Sequence, residues 1–310
     1  LTRAFDAKLR KASLEALLVD CLRARAREAP VLLVLEDCHW LDPLSHDLLE
    51  AIARAIAELP VLILMAYRPP DLTRLQAPRV SGLPYFHGIQ LTDFSPAEAE
   101  YLIRLKLEQF QGGATGAPPA LIERIVGRAQ GNPFYIEELL NYLNDRGLDP
   151  ADHAALERLD LPVSLHSLIL SRIDQLSESQ KTTLKVASVI GRFFRAAMLW
   201  GVYPQLGEFA KVTADLDALG RLDLTSQDEP EPELAYLFKH VLTQEVVYES
   251  LPYATRAYLH EQIGQYLERT SGGNLDHLVN LLAHHYDHSD NVLKKREYVL
   301  RAGQLAQAAY

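Results

Sequence analysis

The fold is decided by an apolar run that ends in two acids, Val31-Leu32-Leu33-Val34-Leu35-Glu36-Asp37. An unbroken apolar run of this length is typical of a parallel β-strand that is buried on both faces. Open α/β sheets bind their ligands at the carboxyl ends of such strands. The sequence therefore predicts a buried parallel strand whose C-terminal end carries a pair of carboxylates, Glu36 and Asp37.

An acidic pair at the end of a buried strand has the arrangement of a Walker B segment. In that segment one carboxylate holds Mg²⁺, and the next orients a water molecule for attack on the γ-phosphate of ATP. A structural strand followed by an acidic turn has the same local sequence. On this dipeptide alone, both interpretations stay open.

Three further segments accompany the acidic strand in a fixed order along the chain. His39-Trp40, Asp42 and Ser45 follow the acids directly, and the later segments are Gly-Asn-Pro-Phe at 131–134 with Glu137-Glu138, residues 161–194, and residues 238–251. In this order they resemble the AAA-like STAND-type signalling ATPases of bacteria. The branch concerned is fused to class III adenylate or guanylate cyclases, protein kinases or LuxR-type regulators.

The resemblance implies a role for five residues and implies ATP and Mg²⁺ as cofactors. Glu36 and Asp37 are expected to form the catalytic pair. In this pair Glu36 binds the metal, and Asp37 activates the water. Arg68 follows the second apolar strand and is expected to contact the γ-phosphate, although a surface arginine before a proline-rich loop is the alternative. Asn132 and Pro133 are expected to contact the nucleotide, and the same two residues also suit a helix cap followed by an N1 proline.

The sequence contains no phosphate-binding loop of the form G-x-x-x-x-G-K-[ST]. The glycine cluster at 112–116 lacks the lysine and follows the acidic strand instead of preceding it, so it is interpreted as a loop. Backbone N–H groups and a lysine normally hold the phosphates in such a site. We expect the P-loop to precede residue 1 in a longer protein, and a protein that has lost it is the alternative. These residues alone are then expected to be inactive as an ATPase.

Composition limits the other functional classes. A net charge of −10 argues against nucleic acid as a partner, because phosphate contacts need clustered lysine and arginine. No apolar run approaches the roughly 20 residues that span a bilayer, so no membrane segment is predicted. The two cysteines, Cys21 and Cys38, do not form a disulfide framework, and Cys38 is expected to be a reduced, partly buried thiol. This cysteine usage favours the cytoplasm.

Apolar periodicity divides the first part of the chain into alternating elements. It predicts a helix at 2–27, a strand at 31–35, a helix at 44–58 and a strand at 61–66. Helix, strand, helix and strand with short connections imply parallel pairing through a right-handed crossover. A third, short strand is predicted at 89–91.

The rest of the chain reads as mostly helical. Helices are predicted at 95–107, 119–128 and 133–145. Further helices follow, and after them a hairpin with strands at 222–225 and 234–238. We predict a fold that is mostly α overall and begins with an α/β partial P-loop NTPase core containing a parallel sheet. The predicted domains are this core at 1–94, an all-α lid at 95–158, a winged helix at 159–255 and the start of TPR-like helical repeats at 256–310.

The resemblance implies an ATP-binding and ATP-hydrolysing regulatory module that acts as a nucleotide-dependent switch in a multidomain signalling protein. Its expected partners are ATP and ADP, an intramolecular output domain (cyclase, kinase or DNA-binding), and proteins that bind the helical repeats. A non-catalytic scaffold is the alternative. A winged-helix transcriptional regulator is a weaker one, because Asp215, Asp217 and the acidic turn at 226–233 would repel DNA.

A histidine group near the C-terminus raises the question of a metal site. His284 and His288 are spaced four residues apart, so they share one helix face, and His285 lies between them. The sequence shows no second ligand segment. The sequence therefore favours a packing role over metal binding.

Overall fold

The computed structural model describes residues 7–68, 79–111, 118–148, 161–229, 234–272 and 275–309. The chain forms two compact units, residues 1–91 (with 309–310) and residues 92–308. The first unit contains α1 (Ala7–Glu28), β1 (Val31–Leu35), α2 (Pro43–Ala55) and β2 (Val61–Met65), with short 3₁₀ helices at Cys38–Trp40 and Arg79–Gly82. The glycine cluster at 112–116 lies outside the described residues.

In the first unit, β1 and β2 pair in parallel, with Val31 opposite Val61 and Leu35 opposite Met65. The helix α2 packs on one face of this sheet, where its Leu49 forms a small core with partly buried residues of both strands. The predicted order of helix, strand, helix and strand is confirmed, and so is the parallel pairing.

Two predictions for this unit are wrong. The segment at 89–91 is not a strand, and its Ile89 and Leu91 are 83% and 90% exposed. The strands are also not buried on both faces. Alternate side chains point to opposite faces of a sheet, and those on the face away from α2 are exposed, as the 60% exposure of Leu32 and 64% exposure of Leu62 show.

The second unit begins with four helices: α3 (Pro96–Gln111), α4 (Pro119–Ala129), α5 (Pro133–Asp145) and α6 (Leu165–Ile173). A capping box starts α3, because the Ser95 N–H donates to the Glu98 carboxylate (2.8 Å) and the Glu98 N–H donates to Ser95 Oγ (3.4 Å). The first three helices enclose a core that contains the fully buried Ile125 and Leu139. The three helices predicted for this region are therefore confirmed.

A second set of elements follows: α7 (Glu178–Ile190), β3 (Phe193–Arg195), α8 (Ala196–Val202), α9 (Phe209–Arg221), β4 (Thr225–Glu229), β5 (Ala235–Phe238) and α10 (Val241–Glu249). The strands form one antiparallel sheet in the order β3-β5-β4. The predicted hairpin is confirmed, but its first strand, predicted at 222–225, instead runs over Thr225–Glu229, so that residues 226–229 of the predicted turn belong to the strand. The sequence prediction missed β3, because three residues are too short to show alternation.

Three helices complete the chain: α11 (Tyr253–Thr270), α12 (Val279–Asp287) and α13 (Val292–Ala309). Their apolar faces join the core of the three-stranded sheet, where Ile263, Leu282 and Tyr286 pack in the same cluster as Phe194 and Phe238. No helix in the described parts of the chain combines the length and the apolar character needed to cross a membrane.

Candidate functional site

The carboxyl edge of the parallel sheet carries the two predicted acids. The Ala66 N–H donates to the Leu35 carbonyl (2.8 Å), and the Ala66 carbonyl accepts from the Cys38 N–H (2.9 Å). Glu36 and Asp37 therefore form a two-residue protrusion between two backbone hydrogen bonds to the same residue. Both acids are exposed.

The backbone of Asp37 adopts the left-handed conformation, with φ 53° and ψ 34°. This region is uncommon for residues other than glycine, and aspartate and asparagine tolerate it best. The conformation turns the chain from β1 into the 3₁₀ helix Cys38–Trp40, whose Trp40 N–H donates to the Asp37 carbonyl (2.9 Å). Unusual backbone conformations of this kind concentrate at functional sites.

Arg68 lies on the same edge of the sheet, two residues beyond Ala66, and is exposed. The structure therefore brings Glu36, Asp37 and Arg68 to one edge, as the sequence predicted for the ends of two parallel strands. Carboxylate oxygens are suitable ligands for Mg²⁺, which is usually bound by one or two carboxylates together with phosphate oxygens. A guanidinium is suited to phosphate. The individual roles of the three residues stay predictions.

Two neighbours of the acidic pair have structural roles. Asp42 accepts hydrogen bonds from the Leu44 and Ser45 N–H groups (2.8 and 3.0 Å) and so caps α2. The Ser45 hydroxyl, followed by these amides, lowers the pKa of Asp42. Cys38 is a free, buried thiol whose pKa is raised by burial. Neither residue adds to the exposed acidic pair.

The Gly-Asn-Pro turn lies in the other unit, where it starts α5. Asn132 Oδ1 accepts from the Tyr135 N–H (3.1 Å), and Pro133 occupies the first helical position, so the capping interpretation is confirmed. Gln130 and Gly131 both have positive φ, 51° and 82°. The Gly131 carbonyl accepts from the Phe94 N–H (2.9 Å), which fixes the turn against the segment ahead of α3.

A cavity of about 660 Å³ opens beside this turn. Its polar lining consists mainly of Asp93, Arg124, Arg128, Asn132 and Tyr135. The volume is in the range of small-molecule sites. The sequence prediction missed Arg124 and Arg128, although their spacing of four residues on α4, directly ahead of the Gly-Asn-Pro turn, was a usable signal.

A buried arginine connects three segments of the second unit. The Arg172 guanidinium, whose side chain is 1% exposed, donates to both oxygens of Glu138 (3.0 and 2.8 Å) and to Asp145 (2.8 Å). It also donates to the Leu222 carbonyl at the end of α9. Burial raises the pKa of Glu138, and attraction to Arg172 offsets part of that rise. The network ties α5 to α6 and to the turn that leads into β4.

The first turn of α5 also contacts the segment that follows β5. The Phe134 and His240 rings lie 3.9 Å apart between centroids. Glu137 accepts from Lys106 on α3 (2.7 Å) and from Lys239 (3.4 Å). Burial acts to raise the pKa of Glu137, but the two lysines lower it overall. The Gly-Asn-Pro turn is therefore close to the contacts that join the helical part to the three-stranded sheet.

The Gly131→Ala substitution is expected to destabilise the second unit by about 1–3 kcal/mol or more, because a non-glycine residue there combines positive φ with a backbone clash. A Cβ at this position would lie 2.5 Å from the Phe94 carbonyl oxygen. Urea unfolding of the chain measures the loss. The control is Gly127→Ala on α4, where a Cβ meets nothing within 4 Å and helix propensity favours alanine. Equal effects of the two substitutions would contradict this account of the turn.

Comparison with known proteins finds similarity at low sequence identity. No family model matches the chain. An uncharacterized protein of Rhizobium meliloti (strain 1021) is 28% identical over 250 residues, which cover 79% of this chain and 23% of the relative. The chain thus spans about a quarter of the length of that relative.

Two solved structures are similar at low identity. One is a Signal Transduction ATPase with Numerous Domains (STAND) protein with a tetratricopeptide repeat sensor from Pyrococcus horikoshii, at a TM-score of 0.49 and 16% identity, covering 87% of this chain and 37% of that one. The other is the Aeropyrum pernix ORC1 protein in complex with DNA, at a TM-score of 0.29 and 17% identity, covering 71% of this chain and 64% of that one.

Proposed function

We propose that the chain is the ATP-binding and ATP-hydrolysing regulatory module of a multidomain signalling protein, in which it acts as a nucleotide-dependent switch. The observation that carries the proposal is the exposed Glu36-Asp37 pair at the carboxyl edge of a parallel sheet. Two further observations support the proposal: Asp37 has a left-handed backbone, and Arg68 lies on the same edge. Open α/β sheets use this edge for ligands.

Each of the three residues has a distinct proposed role. The Glu36 carboxylate would bind Mg²⁺, which on binding neutralises charge on the phosphates. The Asp37 carboxylate would accept a hydrogen bond from the attacking water and orient it. Arg68 would donate to the γ-phosphate oxygens, where negative charge is concentrated during transfer. Because the sequence has no Walker A motif, the proposal assigns the phosphate cradle to residues outside this chain. These 310 residues alone would then bind ATP weakly.

The Gly-Asn-Pro turn is proposed as a nucleotide contact within the helical part. The adjoining cavity, with Asn132 and the guanidiniums of Arg124 and Arg128 in its lining, supports this role for Asn132 and Pro133. We further propose that α3–α5 act as a lid, that α6–α10 with the three-stranded sheet form a winged helix, and that α11–α13 begin TPR-like repeats. Protein partners and an output domain would be reached through these later parts.

The proposed switch needs a stiff connection between the lid and the winged helix. Arg172 with its carboxylate partners, the buried Glu138 and the partly buried Asp145, supplies one such connection, and the Phe134–His240 contact supplies another. A ligand shifts a conformational equilibrium only through contacts that differ between the two states. Nucleotide contacts near Asn132 would therefore be passed to the winged helix through these packed side chains.

In the full-length protein, the Phe134→Ala substitution is expected to reduce the difference between ATP-bound and ADP-bound forms at residues 161–251. The reason is the loss of the ring contact with His240 that joins the start of α5 to the sheet. Hydrogen exchange over 161–251 measures the difference. Tyr101→Ala, at a side chain that is 69% exposed on α3, is the control and should leave the difference intact. An undiminished difference in Phe134→Ala would remove this contact from the proposed route.

The test of the function itself is Mg²⁺-dependent ATP hydrolysis by the full-length protein. The proposal expects turnover that stops when EDTA removes the metal. The scaffold alternative expects neither turnover nor any conformational response to nucleotide. The 310-residue chain by itself should not bind duplex DNA at ~150 mM salt, because Asp215 and Asp217 on α9 and Asp228 and Glu229 on β4 repel phosphates.

A further inference from the structure

Four histidines from two neighbouring segments form a cluster near the C-terminus. His260 comes from α11, His284 and His285 from α12, and His288 directly follows α12. The His260 ring centroid lies 5.8 Å from that of His284, 5.2 Å from that of His285 and 5.0 Å from that of His288. The sequence lacked a second ligand segment for the other three histidines, and the fold supplies it as His260.

The spacing of the ring nitrogens suits a single ion. One nitrogen from each of His260, His284 and His285 lies within 4.8 Å of the others. Nitrogens around a tetrahedral zinc ion, at roughly 2.0–2.1 Å from the metal, are about 3.3 Å apart. The three nitrogens would thus have to approach by at most about 1.5 Å. His284 is exposed, whereas the other two are buried, so His284 is the ligand that would move most on binding.

The hydrogen bonds inside the cluster do not satisfy all of its nitrogens. His260 Nδ1 and His285 Nδ1 lie 2.9 Å apart, so one donates and the other accepts. His285 is 1% exposed, and its Nε2 has no hydrogen-bond partner among the described residues. Buried polar atoms are nearly always paired. A satisfied packing cluster therefore does not account for His285, whereas a ligand site does.

The remaining ring nitrogens are held as they are in metal sites. His288 Nδ1–H donates to the His284 carbonyl (2.8 Å), which leaves its Nε2 as the nitrogen with a lone pair. The Tyr248 hydroxyl lies 3.0 Å from His260 Nε2 and orients that ring, so His260 would bind the ion through Nδ1, in place of its hydrogen bond with His285. Metal-binding histidines usually have the other nitrogen held by such a partner. His284 and His288 are also spaced four residues apart, as ligand pairs on one helix face are.

We propose that His260, His284 and His285, with His288 as a fourth ligand, bind a divalent transition-metal ion such as Zn²⁺. Imidazole ligands suit zinc, copper and nickel. The four ligands are neutral, and the Arg256 guanidinium opposes a bound cation while the Asp287 carboxylate favours it, so we expect moderate affinity. The bound ion would join α11 to α12 and stabilise the C-terminal helices. This inference does not depend on the proposed ATPase function.

The test is a calorimetric titration of the metal-free 310-residue chain with Zn²⁺, followed by Co²⁺ absorbance as a report of tetrahedral coordination. We expect one equivalent to bind. His284→Gln should weaken binding at least ~10-fold, because it removes a ligand. His277→Gln is the matched control, since His277 is an exposed histidine just ahead of α12 and outside the cluster, and it should bind like the unmodified chain.

A second measurement follows the melting temperature of the chain. At ~100-fold excess over the dissociation constant, Zn²⁺ should raise the melting temperature by about 3 °C or more, and His284→Gln should lose this rise. His284 is exposed, so the variant is expected to fold, and circular dichroism checks this. Failure of the chain to bind Zn²⁺ saturably at ~100 μM would overturn the site. Unweakened binding by folded His284→Gln, or equal weakening by His277→Gln, would overturn it as well.

Discussion

Replacing Asp37 by asparagine is expected to slow ATP hydrolysis by the full-length protein at least ~100-fold while leaving ATP affinity nearly unchanged. The substitution removes the group proposed to orient the attacking water, so its effect falls mainly on the transition state. Asparagine tolerates the left-handed backbone that Asp37 adopts, so the strand end should keep its conformation. Steady-state phosphate release, together with direct ATP binding, separates the two quantities.

The matched control for this experiment is Asp42→Asn. Asp42 follows the same strand but caps α2, and asparagine caps helices about as well as aspartate. Turnover in Asp42→Asn should therefore stay within about twofold of the unmodified protein. Undiminished turnover in Asp37→Asn would remove Asp37 from the catalytic assignment, and equal losses in both variants would point to general damage at the strand end.

Replacing Arg172 by methionine is expected to destabilise the second unit by about 3–5 kcal/mol. The side chains of Arg172 and Glu138 are 1% and 2% exposed, so the substitution leaves a buried carboxylate without its cation. It also removes the hydrogen bond to the Leu222 carbonyl. Urea unfolding of the chain, followed by circular dichroism, gives the change in the free energy of unfolding.

Two further variants make this result specific. Arg104→Met breaks an ion pair with Glu100 on the surface of α3, and such pairs contribute only roughly 0–1 kcal/mol. The double variant Arg172→Met/Glu138→Leu removes both buried charges and should recover much of the lost stability. If Arg172→Met cost no more than Arg104→Met, the buried network would not stabilise the fold as described.

The sequence predicted the helix starts well because they are encoded locally. Asp42-Pro43, Ser95 with Glu98, and Asn132-Pro133 each satisfy the free N–H groups of a first turn within four residues. The strands were harder to predict, because strand formation depends on a partner and on burial. The strands β1 and β2 could be predicted because each is a continuous apolar run. The strand β3 has only three residues, and the incorrectly predicted strand at 89–91 was equally short.

The candidate site was predicted only as far as topology determines it. Two parallel strands end at one edge, so Glu36, Asp37 and Arg68 could be expected together. The left-handed backbone of Asp37 could not be predicted, because the hydrogen bonds on either side of it depend on Ala66, which is distant in sequence. Two other groups of contacts join residues far apart in sequence, so only the packed structure reveals these contacts. They are the ion pairs of Arg172 with its carboxylates and the packing of His260 in the histidine cluster.

The nucleotide-dependent switch is tested most directly by hydrogen exchange in the full-length Asp37→Asn variant, saturated with MgATP in one sample and with MgADP in the other. Slow hydrolysis in this variant would hold the ATP state during the measurement. We expect the backbone amides of residues 161–251 to exchange at different rates in the two samples. Superimposable exchange across this region, with both nucleotides shown to be bound, would contradict it.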